Sequence, residues 1–138
     1  MAQKIRVLIA KPGLDGHEAG AKMVARALMD GGMEVIYTGS RQTSEAIVQT
    51  AIQEDVDIIG ISILTGAYLH FCSEILQLLK EKGGRDIPLV LGGIIHPSHI
   101  PALEKMGVKG IFGPGTDIKE MVDSIQQLAK ESKAAQIK

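Results

Sequence analysis

Apolar residues in this chain fall into short, largely β-branched runs separated by stretches with helical spacing. The runs cover residues 5–10, 34–37, 57–62, 87–91 and 108–112. Most are continuously apolar rather than alternating, the pattern of strands covered on both faces in a parallel sheet. Between them, Met23, Val24, Ala27 and Leu28 share one helical face, as do Ile47, Val48, Ala51 and Ile52. Phe71, Ile75, Leu78 and Leu79 predict a third helix, and Ile100, Leu103 and Met106 a short fourth. Ile118, Met121, Val122, Ile125 and Leu128 predict a fifth. Gly31-Gly32 and Gly83-Gly84 suit left-handed helix ends, while Thr43 or Ser44 and Thr116 suit N-caps.

Five βα units in series predict an α/β fold, a doubly wound parallel sheet joined by right-handed crossovers. At this length the expected version is flavodoxin-like, a single domain with strand order 2-1-3-4-5. The polar stretch 130–138 is expected to fray, leaving a core of about residues 4–130 within the domain 1–138. Ligands of open parallel sheets lie beyond the carboxyl ends of the strands. Function is therefore sought in segments 11–20, 39–43, 62–67, 92–98 and 113–116, which hold most of the glycine outside helix caps.

Composition narrows the chemistry. The chain has 138 residues and a net charge of −1, so it has no field for gathering nucleic acid or an anionic membrane. The single cysteine, Cys72, excludes an internal disulfide and fits a reducing cytosol, so a cytoplasmic location is expected. No apolar run approaches the roughly 18 residues of a membrane span, and the first residues lack a signal peptide's apolar core.

The first glycine-rich loop, Lys11-Pro12-Gly13-Leu14-Asp15-Gly16-His17-Glu18-Ala19-Gly20, matches neither a P-loop nor a dinucleotide fingerprint. A phosphorelay receiver, a non-enzymatic use of the same fold, needs an aspartate at the end of the third strand, where this chain has Ser62. His17 two residues after Asp15 offers a metal ligand with a carboxylate to orient its second nitrogen. The same residues also read as an Asp-Gly turn with a solvated histidine, Lys11 as a solvated strand-end lysine, and Ser62 as a strand-end serine satisfied by backbone. His96 and His99 share the loop face, but their spacing falls outside zinc-ligand patterns.

Asp15-x-His17-x-x-Gly20, Ser62-x-Leu64 and Gly92-Gly93 together resemble the cobalamin-binding domain of the His-on corrinoid enzymes. The intervals match too, with 41 residues between Gly20 and Ser62 and 27 between Leu64 and Gly92. The run Ala10-Lys11-Pro12-Gly13-Leu14-Asp15-Gly16-His17 is most similar to the stand-alone small subunits of adenosylcobalamin-dependent acyl-CoA mutases, the methylmalonyl-, isobutyryl- and 2-hydroxyisobutyryl-CoA mutase relatives. The resemblance implies that the cofactor's own base leaves cobalt and that His17 replaces it, with Asp15 on the other nitrogen and Lys11 completing a relay. It implies that Ser62 bonds the released dimethylbenzimidazole, that Leu64 and Ile63 flank it, and that Gly16, Gly20, Gly92 and Gly93 allow close approach. Phe112, Gly115 and Thr116 are implied to line the tail channel. Family members often carry tyrosine at the position of Phe112, so only packing transfers there.

The implied partner is a large barrel subunit that binds the acyl-CoA and roofs the corrin, because a domain this small covers only one face of the ring. Methyl carriers place a helical cap before this domain, and no such segment precedes Lys4 in the sequence given, so a mutase is expected. Glutamate mutase is the other candidate of that class, although its loop usually lacks the lysine. Loop 11–20, rich in glycine, is expected to gain order on binding.

Overall fold

The computed structural model describes residues 4–13, 18–82 and 86–137. In chain order the elements are β1 (Arg6–Ala10), α1 (Ala19–Asp30), β2 (Glu34–Tyr37), α2 (Ser44–Gln53) and β3 (Ile58–Ile63). There follow α3 (Tyr68–Glu81), β4 (Leu89–Gly93), a single 3-10 turn (Pro97–His99), α4 (Ile100–Met106), β5 (Gly110–Phe112) and α5 (Ile118–Ile137). The strands form one sheet in the order β2-β1-β3-β4-β5, with every pair parallel. This is the doubly wound, flavodoxin-like topology expected from the runs of apolar residues.

Strand alternation divides the core in two. Leu8, Ile59, Ile61, Ile63, Leu89 and Leu91 pack against α2, α3 and α4 through Ile47, Val48, Cys72, Ile75 and Leu103. Val7, Ile9, Ile58 and Val90 face α1 and α5 through Ala21, Ala25, Leu28, Ile125 and Ala129. Because β1 leads to one face and β3 to the other, their carboxyl ends diverge and open the crevice where such folds bind ligands. Cys72 lies wholly inside the first layer, and burial pushes its thiol up to about 12, leaving it protonated and unreactive near neutrality. Among the described residues no helix is long and apolar enough to cross a membrane.

Several expectations need correction. β4 starts two residues late because Pro88 has no N–H for the ladder, although its carbonyl accepts from Ile59 N at 2.9 Å. Thr43 caps α2, accepting from Ala46 N at 3.0 Å, whereas Asp117 rather than Thr116 accepts at the start of α5, from Lys119 N at 3.2 Å. Gly32 has the left-handed φ of +92° expected after α1, while Gly83 and Gly84 lie outside the described residues. α5 runs on through the polar stretch to Ile137, and Lys133 ties it to the sheet. Its ammonium sits 3.0 and 3.1 Å from the two oxygens of Asp57, a carboxylate only 1% exposed that also accepts from Arg6 N at 2.9 Å.

Candidate cofactor site at the carboxyl edge of the sheet

The face of the sheet toward α1 and α5 is thin at its carboxyl end. Val7 and Ile58 fill the lower row, whereas Gly60 leaves a gap between Ile9 and Val90 in the next row and Ser62 and Gly92 pair in the row above. Neither α1 nor α5 fills the space, because α1 presents Gly20, Ala21 and Val24 there and α5 presents Met121 and Ile125. The result is a slot of about 330 Å³, walled almost entirely by apolar groups and closed at one side by Phe112, Gly113 and Pro114. That volume is at the lower end of ligand pockets, enough for one flat heteroaromatic base. An added Cβ at Gly20 would meet nothing within 4 Å, and one at Gly92 only Phe112 O at 3.9 Å. Folding does not demand glycine at either position, so the missing side chains serve the slot itself.

One row of residues crosses the top of the slot. Ser62 pairs in register with Gly92, and Gly92 with Phe112. Continuing the β1–β3 register past Ala10 and Ile61 brings Lys11 beside Ser62. Lys11 is not the solvated strand-end lysine that its position allowed, for it is 0% exposed. Its Nζ donates to the Ser62 carbonyl at 2.8 Å and reaches Ser62 Oγ at 3.4 Å. In a parallel ladder that carbonyl would accept from the N–H of residue 12, which is a proline. Lys11 thus replaces the missing backbone donor with its side chain.

The structure brings Gly20, Ser62, Leu64, Gly92, Gly93 and Phe112 to one slot, with Lys11 behind Ser62. Asp15, Gly16 and His17 lie outside the described residues, between Gly13 and Glu18, which flank the loop at the same edge. Three of the expected residues do not line the slot. Alternation sends the Ile63 side chain into the opposite layer, 0% exposed. Thr116 closes its own turn, its hydroxyl donating to Gly113 O at 2.8 Å. Gly115 serves that turn with a φ of +86°, and Gly113 and Pro114 form the wall instead.

Sequence reasoning missed the contributions of Val24, Met121 and Ile125, and also the pair of Tyr37 and Glu18. Tyr37, at the end of β2, donates to Glu18 Oε1 at 2.5 Å, and Glu18 is the residue at the amino end of α1. The bond ties β2 to the chain immediately after His17. Burial first, then the bond to Glu18 and its charge, push the Tyr37 hydroxyl up to about 12, above the usual value near 10. The folded state therefore holds this proton more tightly. The contribution is complete below about pH 10 and is lost as pH rises toward 12. Ultraviolet titration is expected to show a late phenolate step that Tyr37→Phe removes. On the far side of the rim, Tyr68 accepts from His96 N at 3.0 Å and bonds His99 Nδ1 at 2.6 Å, which holds the segment after β4 against α3.

Comparison with known proteins agrees with this geometry. A family model described as the B12 binding domain matches residues 5–123. The chain is 47% identical over 124 residues to the 2-hydroxyisobutanoyl-CoA mutase small subunit of Aquincola tertiaricarbonis, covering 90% of this chain and 91% of that one. It is 41% identical over 133 residues to the pivalyl-CoA mutase small subunit of Xanthobacter autotrophicus, covering 96% and 89%. Among solved structures, a cobalamin-binding protein from Desulfitobacterium hafniense superposes with a TM-score of 0.78 at 20% identity, over 91% of this chain and 60% of that one, a likeness of fold. The chain belongs to the B12-binding domain family, and within it to the company of acyl-CoA mutase small subunits.

Proposed function

We propose that this chain is the cofactor-holding small subunit of an adenosylcobalamin-dependent acyl-CoA mutase, with residues 1–138 forming one cobalamin-binding domain. The observation that carries the reading is the slot opened beside Ser62 by Gly20, Gly60 and Gly92, apolar where a released benzimidazole needs burial. Near-full-length similarity to two mutase small subunits supports the same conclusion. The acyl groups in both relatives' names are branched at the carbon next to the thioester, which favours a short branched acyl-CoA as substrate.

Adenosylcobalamin, when bound, supplies the radical chemistry of a carbon-skeleton rearrangement. This chain's residues do the holding. His17 would ligate the cofactor's cobalt and Asp15 would accept its other N–H, fixing the tautomer. Ser62 donates to the nitrogen of the base, while Gly20, Gly92, Gly93 and Phe112 enclose the tail. Leu64 and Ile94, 40% and 60% exposed beside the mouth, form an apolar rim that the corrin and a partner subunit cover. The partner is a large barrel subunit that holds the acyl-CoA and excludes water from the reacting centre.

The experiment is reconstitution with a large subunit of a 2-hydroxyisobutanoyl-CoA or pivalyl-CoA mutase and added adenosylcobalamin. Isomerisation of a branched acyl-CoA is expected only when both chains are present. Methyl transfer with a methyltransferase, and no isomerisation of any acyl-CoA tried, would replace this reading with that of a methyl carrier.

A further inference from the structure

The contact between Lys11 and Ser62 has a directional consequence. An ammonium donates through three N–H groups and accepts nothing. With Nζ 2.8 Å from the Ser62 carbonyl and 3.4 Å from its hydroxyl, Ser62 Oγ is the acceptor of that pair. Its own proton must therefore point away from Lys11. Ser62 stands on the α1–α5 side of β3, in the row with Gly92 and Phe112, so the open direction is the slot. The remaining walls there are Ile9, Val24, Val90, Met121 and Ile125, whose side chains offer no oxygen or nitrogen acceptor.

We propose that Lys11 is a positioning residue for the tail site. It turns the Ser62 proton into the slot, so that the slot selects a nucleotide tail whose base presents an acceptor nitrogen. The inference rests on the cobalamin-binding reading and deepens it. Pro12 is part of the device, because a residue with an N–H at that position would satisfy the Ser62 carbonyl without the lysine. A lysine acting solely through Asp15 and His17 would instead strengthen every corrinoid alike, whatever its tail.

The test uses the full chain and two probes, cobalamin and its cresol-tailed analogue, whose ring carries no nitrogen. Calorimetric titration gives the ratio of their dissociation constants. The wild type is expected to favour cobalamin. Ser62→Ala should cut that preference about tenfold and Lys11→Met about threefold, the range of one neutral hydrogen bond or its pre-orientation. The double variant should lose no more than Ser62→Ala alone, since the lysine acts through the serine. Lys11→Met combined with Pro12→Ala returns a backbone donor to the carbonyl, and should give the same threefold loss if Lys11→Met alone folds poorly. Equal weakening of both probes by Lys11→Met, or losses that multiply in the double variant, would overturn the inference while leaving cobalamin binding intact. A wild type that binds neither corrinoid would overturn the functional reading and the inference with it.

Discussion

Gly93→Ala is expected to keep the chain from reaching its native packing, whereas Gly92→Ala, one residue away, is expected to fold and to lose the cofactor. Gly93 has a φ of +149°, and a Cβ there would lie 1.8 Å from the carbonyl oxygen of Ile63. No side-chain rotation relieves a clash between a Cβ and a neighbouring strand's backbone. The cost exceeds about 4 kcal/mol, a large part of the 5–15 kcal/mol that stabilises an ordinary domain. At Gly92 the nearest neighbour of a Cβ is Phe112 O at 3.9 Å, an ordinary contact. The methyl group would instead occupy the slot, where overpacking of about 1–3 kcal/mol corresponds to roughly fivefold to a hundredfold weaker cobalamin binding. Thermal melts and cobalamin titrations of the two variants check this. Equal loss of stability in both would mean that glycine at position 92 also serves the fold.

Lys133→Met is expected to cost about 3 kcal/mol of stability, although the residue lies in a stretch whose composition suggests a loose tail. It removes the ammonium from a carboxylate that is 1% exposed, at the amino edge of the sheet and far from the slot. Asp57→Asn in the same chain should recover more than half of the loss, because the buried negative charge is then removed along with its cation. Denaturant unfolding of the two single variants and the double variant gives the coupling directly. Cobalamin affinity should stay unchanged throughout. A Lys133→Met variant as stable as the wild type would show that α5 gains nothing beyond residue 130.

The sequence and the structure part company in places with a common physical character. Strands and helices were legible because each is set by spacing within a few residues, and the order of the sheet followed from five repeated units. The residues at the carboxyl edge were legible because a parallel sheet puts them there. What failed was inference from adjacency along the chain. Ile63 lies next to Ser62 in sequence but on the other face of β3, and Thr116 spends its hydroxyl on its own turn. Pairings such as Tyr37 with Glu18, or Lys133 with Asp57, join residues 19 and 76 positions apart, and no local pattern announces them. A signal for the slot was present. Small residues at Gly60, Ser62 and Gly92, all on one face of neighbouring strands, mark a layer too thin to fill the space beneath two helices.

The central claim is that this chain takes cobalamin with its own base off cobalt and His17 in that base's place. Electron paramagnetic resonance of the reduced, divalent cobalt cofactor bound to protein uniformly labelled with nitrogen-15 reads the axial nitrogen directly. Each cobalt line should split into a doublet from the labelled imidazole, and His17→Ala should abolish that doublet. A triplet that labelling leaves unchanged would mean that the cofactor's unlabelled benzimidazole still holds the metal, and would contradict the account.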